Sequence, residues 1–164
     1  MSAPLHPILV HFTIALTSTS LAFELIGRVW SMASLSESAW WCIAAAGITT
    51  VATLVTGVTS RLGLPVQEGE ARSYLRAHMA LGPAFFGLLV ALIVWRADLW
   101  NDRQPVSWWY LGAIALAAAV MTVQGWLGGE LVYRYGMDVR GSYRALPVTE
   151  ERQPPRREGG APKW

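Results

Sequence analysis

Four long apolar runs divide the chain, with polar and charged segments between them. They cover residues 7–30, 39–60, 77–95 and 106–129, and only Glu24 and Arg28 carry charge within them. About 20 helical residues, each rising about 1.5 Å, cross the hydrocarbon core of a bilayer. The pattern therefore predicts an all-α bundle of four transmembrane helices, the last continuing to about residue 133, and excludes a soluble fold.

Composition agrees with this pattern, since 53% of the 164 residues are hydrophobic and only 15% are charged. We predict one domain, residues 1–144, with short connections, a Ser-rich turn at 31–38 and a non-helical loop at 61–76. Residues 145–164 are rich in Pro, Gly, Arg and Glu, and they have almost nothing to bury, so we expect a disordered tail. The segment before the first run has no Lys or Arg, so that run is expected to be a retained helix rather than a cleaved signal.

Basic residues are unevenly shared between the two predicted membrane faces. Ten lie on the side of the termini and three on the other, and short basic segments tend to stay in the cytoplasm. We therefore expect a multi-pass protein of the bacterial cytoplasmic (inner) membrane with both termini and the tail in the cytoplasm. The ten are Arg61, Arg72, Arg76, Arg134, Arg140, Arg144, Arg152, Arg156, Arg157 and Lys163, against Arg28, Arg96 and Arg103.

Seven of the nine tryptophans fall at the opposite, exoplasmic ends of the predicted helices: Trp30, Trp40, Trp41, Trp95, Trp100, Trp108 and Trp109. Indole side chains are enriched at membrane interfaces, which favours an aromatic belt in contact with lipid headgroups. A docking surface for another membrane subunit is the alternative.

The three histidines converge on the cytoplasmic side although they are distant in sequence. His11 lies about one turn inside the first helix and His78 starts the third, so both are expected to face the bundle interior at similar depth. His6 is five residues before His11, about 140° around a helix, so sharing one ion with it would require a non-helical backbone before Pro7.

Small residues accompany these histidines. Ala15, Ser18 and Ala22 follow His11 on one helical face, and Gly82 follows His78 by one turn. Such positions leave a gap that a porphyrin can occupy between two axial imidazoles. The alternative is close helix packing without a ligand, as also suggested by Gly125 and Gly129 in the fourth helix.

Two acidic residues within or beside the spans require an explanation, because ionisable groups in lipid are costly. Glu24 is expected to pair with Arg28 at i,i+4. Glu130 either pairs with an arginine or orients a ligating histidine. Gln124 and Tyr133 are further polar candidates at this end, and Gln124 is deep enough to require a hydrogen-bond partner. The threonines of the second helix are expected to bond to backbone carbonyls or to another helix.

Several function classes are excluded. The single cysteine, Cys42, rules out an internal disulfide, a cysteine-ligated iron–sulfur cluster and a CxxCH haem attachment. No phosphate loop, Ser–His–Asp arrangement or zinc-protease motif is present, so no independent catalytic activity is expected. Basic residues at a membrane boundary are explained by anionic lipid, and we expect no nucleic-acid binding.

Three segments together resemble a bacterial family of four-helix membrane proteins of unknown function: HPILVHFTIAL, RSYLRAHMALG and QGWLGGELVYRYGMDV. The resemblance covers about residues 4–140 and implies the four-helix architecture. The family is similar in plan to small membrane cytochromes with b-type haem, and by that analogy its recurring histidines fall on His6, His11 and His78. Its glycine–acid–tyrosine cluster falls on Gly128, Gly129, Glu130 and Tyr133. The chain departs from the family pattern in having Thr13 where a proline is usual and Thr59 where an acid is common.

We predict a haem b electron-transfer subunit in which His11 and His78 ligate the iron near the cytoplasmic end of the bundle. The first alternative is a cofactor-free accessory subunit of a larger respiratory, photosynthetic or transport complex. The second alternative is a divalent metal site. The predicted cofactor site comprises His6, His11, His78, Gly82, Gln124, Gly125, Glu130 and Tyr133, and the alternative metal ligands are His6, His11, His78 and Glu130.

Overall fold

Four long helices form the bundle in the computed structural model, which describes residues 5–62, 68–98 and 106–137. Helix α1 spans Leu5–Val29, α2 Ala33–Leu62, α3 Gly69–Asp98 and α4 Trp108–Tyr133. Each is long and apolar enough to cross a membrane. The four-helix prediction is confirmed for the described residues, whereas the tail predicted at 145–164 lies outside them.

Two predicted connections are shorter than the sequence indicated. Helix α2 begins within the Ser-rich segment, and α3 begins at Gly69 and includes the second half of the segment predicted as a loop. The apolar runs mark the hydrocarbon core, but backbone hydrogen bonding continues a helix into the polar interface. His6 is also helical, contrary to the non-helical backbone considered before Pro7.

The helices pack in a ring in chain order, so α1 contacts α2 and α4 while α1 and α3 lie at opposite corners. An apolar core joins the last three helices, with Ile43 of α2, Leu89 of α3 and Ile114 of α4 fully buried. Pro83 lies inside α3 without ending it.

Helix α1 buries polar rather than apolar side chains. Its buried residues are Thr13, Thr17, Ser20, Glu24 and Gly27. The large apolar side chains of Leu5, Ile8, Phe12, Ile14 and Leu25 are exposed. Such a distribution suits a lipid solvent, which is as apolar as leucine, so that interhelical hydrogen bonds and close packing hold the helices together.

This arrangement overturns the predicted inward face of α1. His11, Ala15, Ser18 and Ala22 are all exposed. The sequence shows two small-residue faces on this helix, and the bundle buries the one whose hydroxyl and carboxylate groups find partners on α2 and α3.

Candidate functional site

Two polar clusters lie at opposite ends of the bundle. We define the histidine cluster as His6, His78, Thr53 and Gln124, and the ion-pair cluster as Glu24, Ser36, Arg96 and Tyr110. The first lies near the start of α1 and the second near its end, about 27 Å away by helical rise.

In the histidine cluster each imidazole is fixed by the helix that follows it. His6 Nδ1 donates to Thr53 O at 3.0 Å, with Thr56 Oγ1 at 3.4 Å. His78 Nδ1 lies 3.2 Å from Gln124 O, to which it donates. A carbonyl oxygen can only accept, so these contacts place the proton on Nδ1 and leave Nε2 of the neutral ring with a free lone pair.

Each ring also lies against a glycine one turn beyond its carbonyl partner. A Cβ at Gly57 would come within 2.9 Å of His6 Cε1, and one at Gly128 within 3.2 Å of His78 Cε1. The two helical hairpins thus repeat one arrangement, in which an imidazole bonds to a carbonyl and lies on a glycine four residues later.

His11 does not join this cluster, so the predicted inward orientation of His11 beside His78 is wrong. Its side chain is exposed, and Nδ1 donates to Pro7 O at 2.6 Å within its own helix. At 3.6 residues per turn, the five-residue step from His6 turns it away from α2.

Of the other residues predicted for the site, some are packed against neighbouring side chains and others are exposed. Gly82 leaves no gap, because its missing Cβ would be 3.0 Å from Leu54 Cδ2 and 3.4 Å from Gln124 Nε2. A Cβ added at Gly125 would have no neighbouring atom within 4 Å, so this glycine does not provide the predicted close helix contact, and Gly128 does so instead. Tyr133 is 91% exposed and lies outside the cluster.

Gln124 and Glu130 have different surroundings. The backbone oxygen of Gln124 accepts from His78, but its buried Oε1 has no partner within the described part of the chain. Glu130 Oε2 lies 3.7 Å from Arg134, as the arginine alternative predicted. Arg134 also pairs with Glu70 at 3.2 Å.

Threonines behave as predicted along α2. The hydroxyls of Thr50, Thr53 and Thr56 donate to carbonyls three or four residues earlier. Thr59, which stands where the resembled family often has an acid, is exposed, and its hydroxyl donates to Thr56 O. Among the described residues it forms no hydrogen bond with the histidine cluster.

The ion-pair cluster joins three helices through a carboxylate. Arg96 Nε donates to Glu24 Oε1 at 3.1 Å, Ser36 Oγ donates to Glu24 Oε2 at 2.5 Å, and Arg96 Nη2 donates to Ser36 Oγ at 3.0 Å. Glu24 is fully buried and Arg96 is 5% exposed. The carboxylate is thus paired and hydrogen-bonded, which burial of an ionised group requires.

Arg28 is not the partner of Glu24, contrary to the i,i+4 prediction. Its guanidinium lies over the Trp108 ring, 5.3 Å from the centroid. Arg96 reaches Glu24 because α1 and α3 end on the same side of the bundle, in which successive helices are antiparallel.

Tyr110 completes the cluster from α4. Its side chain is fully buried, and its ring packs edge-on against that of Trp95, the residue before Arg96, with 5.6 Å between the ring centroids. Its hydroxyl has no hydrogen-bond partner among the described residues. Arg96, Ser36 and Tyr110 were not predicted from the sequence, whereas the repeat of Thr13, Thr17, Ser20 and Glu24 was a visible signal for the buried face of α1.

Comparison with known proteins agrees with the membrane architecture. Residues 2–141 match a family model described as a predicted membrane protein. No curated protein and no solved structure matches the chain.

Proposed function

The chain belongs to this family, DUF2231, and from that premise we propose that it is a membrane electron-transfer subunit in which His6 and His78 hold a b-type haem. One observation carries the proposal: both rings donate Nδ1–H to a backbone carbonyl, at 3.0 and 3.2 Å. Histidines that ligate metals are commonly oriented this way, because the bond fixes the tautomer and aims Nε2 at the metal.

The number of donors favours haem over a divalent cation. A structural or catalytic zinc site takes at least three protein ligands, but the described residues contain no group of three or more His, Cys, Asp or Glu placed to hold a metal. A porphyrin supplies four ligands itself and needs only axial groups from the protein. His6 of α1 and His78 of α3 would supply these groups, and the bound haem would supply one-electron transfer.

His6 replaces His11 as the proposed axial partner of His78. His11 faces outward and its Nδ1 is bonded within α1. Space beside Gly82 is filled by Leu54 and Gln124, so His6 and His78 would hold the haem without the gap that the small residues predicted.

The spectrum of the purified full-length protein tests this proposal. With haem supplied during expression, we expect a Soret band that is lost in His6→Ala and His78→Ala and retained in His11→Ala, the matched control. Absence of the band from the wild-type protein would contradict the haem, and a band lost only in His11→Ala would contradict the ligand pair.

The orientation of the site follows from the basic residues. Arg61, Arg72 and Arg76 share the end of the bundle that holds the histidine cluster. The positive-inside tendency therefore supports placing this end in the cytoplasm of a bacterial inner membrane.

A second candidate function is that of an accessory subunit in a larger membrane complex, favoured by the tryptophan-rich end. Trp30, Trp108 and Trp109 are 66%, 62% and 83% exposed there. Aromatic residues are enriched at protein interfaces as well as at membrane interfaces. This candidate is compatible with haem binding.

Co-purification from mild detergent tests the accessory role. We expect Trp108→Ala combined with Trp109→Ala to release a stoichiometric membrane partner, while Trp126→Ala, exposed near the other end of α4, retains it. Recovery of the wild-type chain as a lone monomer would argue against such a complex.

A further inference from the structure

The two helical hairpins, α1–α2 and α3–α4, carry equivalent residues at a nearly constant spacing along the chain. His78 follows His6 by 72 residues, and Arg96 follows Glu24 by the same number. In the second helix of each hairpin, the carbonyl that accepts from the imidazole recurs after 71 residues, and so does the glycine beside the ring. The shared histidine arrangement is therefore one part of a longer correspondence between the hairpins.

Burial follows the same spacing along the helices. Four buried positions of α1 have counterparts 72 residues later that are buried in α3: Thr13, Thr17, Ser20 and Glu24 correspond to Phe85, Leu89, Leu92 and Arg96. Four of α2 have counterparts 71 residues later that are buried in α4: Ala39, Ile43, Ala46 and Thr50 correspond to Tyr110, Ile114, Ala117 and Met121. A misalignment by one residue turns a helix face by about 100°. These eight coincidences therefore indicate that both hairpins turn the same faces inward.

A two-fold rotation about an axis along the bundle relates the two hairpins. Helices α1 and α3 run in the same direction at opposite corners of the ring, and so do α2 and α4. Parallel repeats in membrane proteins are related by an axis along the membrane normal. In such a pair, a residue contacts its own counterpart only at the axis, because the rotation carries each residue onto its counterpart. Glu24 and Arg96 are counterparts in contact at 3.1 Å, so this ion pair lies at the axis.

The two axis positions are equivalent in place but opposite in charge. Glu24 is fully buried and Arg96 is 5% exposed, so each charge depends on the other for compensation. Two copies of the α1–α2 hairpin would bring two carboxylates to the axis, and two copies of the α3–α4 hairpin would bring two guanidinium groups. Burying a charge without an opposite partner is strongly unfavourable. Only the pairing of unlike hairpins neutralises the axis, and an unfavourable alternative of this kind is a common source of specificity.

We propose that the chain is two copies of one helical hairpin paired about a two-fold axis, and that the opposite charges of Glu24 and Arg96 select the pairing of unlike hairpins. The inward faces of α1 and α3 form the pairing surface. The partner that fits the α1–α2 hairpin is a hairpin of the same plan with a cation at the axis position, which α3–α4 supplies. This pairing requires no bound ligand, so it does not depend on haem at His6 and His78.

Exchanging the two charges in the full-length protein tests this inference. Glu24→Arg alone and Arg96→Glu alone each place like charges at the axis, whereas the two substitutions together restore a neutral pair made of the same two side chains. We expect each single variant to give several-fold less monodisperse protein than the wild type after extraction in mild detergent. The double variant should regain most of the wild-type yield. Size-exclusion elution measures the yield, and the thermal unfolding midpoint of the eluted protein reports its stability.

Glu24→Arg combined with Arg28→Glu is the matched control. It exchanges the same two residue types within α1 and keeps the same net charge, but it leaves two arginines at the axis, because Arg28 contacts Trp108 instead. The control should give as little folded protein as Glu24→Arg alone. A double charge exchange no better folded than the single variants would overturn the proposal. So would wild-type yield and stability in either single variant, or recovery in the control equal to that of the double exchange.

A circular permutant tests the repeat separately from the charges. Under the two-fold rotation Tyr133 is the counterpart of Leu62 and Leu5 the counterpart of Ala77. A copy of residues 63–76 should therefore join Tyr133 to Leu5 as it joins Leu62 to Ala77. We expect the permutant, in which α3–α4 precede α1–α2, to elute as a monodisperse protein, and its failure to fold would contradict the two-fold relation. Neither experiment requires bound haem, so both outcomes are separate from the Soret test.

Discussion

Arg96→Met is expected to destabilise the folded protein by about 3–5 kcal/mol, the usual cost of removing one partner from a buried ion pair. The substitution leaves the fully buried Glu24 carboxylate with only Ser36 as a hydrogen-bond partner. Met preserves much of the side-chain volume, so the loss of stability would result from the missing charge rather than from a cavity. Equilibrium unfolding of the purified protein in mixed detergent micelles measures the change.

Arg28→Met is the matched control for this prediction. Arg28 is the partner that spacing predicts, but its guanidinium contacts Trp108, so its loss should cost no more than about 1 kcal/mol. Adding Glu24→Gln to Arg96→Met should recover part of the stability, because no unpaired carboxylate remains. A larger loss of stability in Arg28→Met than in Arg96→Met would instead support the i,i+4 pair of Glu24 with Arg28.

Gly27→Ala is expected to cost about 1–3 kcal/mol, the range for overpacking a tight site. The added Cβ would lie 3.1 Å from Met32 O and 3.2 Å from Ser36 N. Both are backbone atoms, of the α1–α2 connection and of the first turn of α2, and they cannot move aside as a flexible side chain would. The shift would also displace Ser36, which donates to Glu24.

Gly112→Ala, in contrast, should increase the stability of the folded protein. Gly112 is exposed in α4 and has no heavy atom within 4 Å of an added Cβ, so alanine gains up to about 1 kcal/mol of helix propensity without a clash. Both variants are compared in the same unfolding assay. Equal stability changes at the two positions would show that the α1–α2 connection is looser than its distances indicate.

The histidine cluster illustrates what spacing could and could not predict. The sequence indicated that His6 and His11 point in different directions and that His78 lies at the same end of the bundle. The sequence could not show whether His6 or His11 points towards α2, because both sides of α1 carry small residues. That choice depends on Thr53 O and Gly57, which belong to another helix.

Glu130 and Glu24 show that sequence spacing can predict an ion pair within one helix but not an ion pair between two helices. The contact between Glu130 and Arg134 is local and was among the predicted alternatives. Glu24 had an equally local candidate in Arg28, yet it pairs with Arg96, 72 residues away. A buried carboxylate pairs with a donor that is buried beside it. Arg96 meets this condition, whereas the Arg28 guanidinium contacts the Trp108 ring.

The sequence by itself determined the number and type of the elements, because a segment crossing lipid must satisfy its backbone hydrogen bonds internally, and helices do so within one run of residues. It also placed the three histidines and Glu130 at the same end of the predicted bundle. Only the tertiary structure decided which side of α1 is inside, since lipid and protein core are equally apolar and hydrophobicity alone defines no inward face. Partners on other helices make that choice, and they brought together Glu24 with Arg96 and left His11 outside.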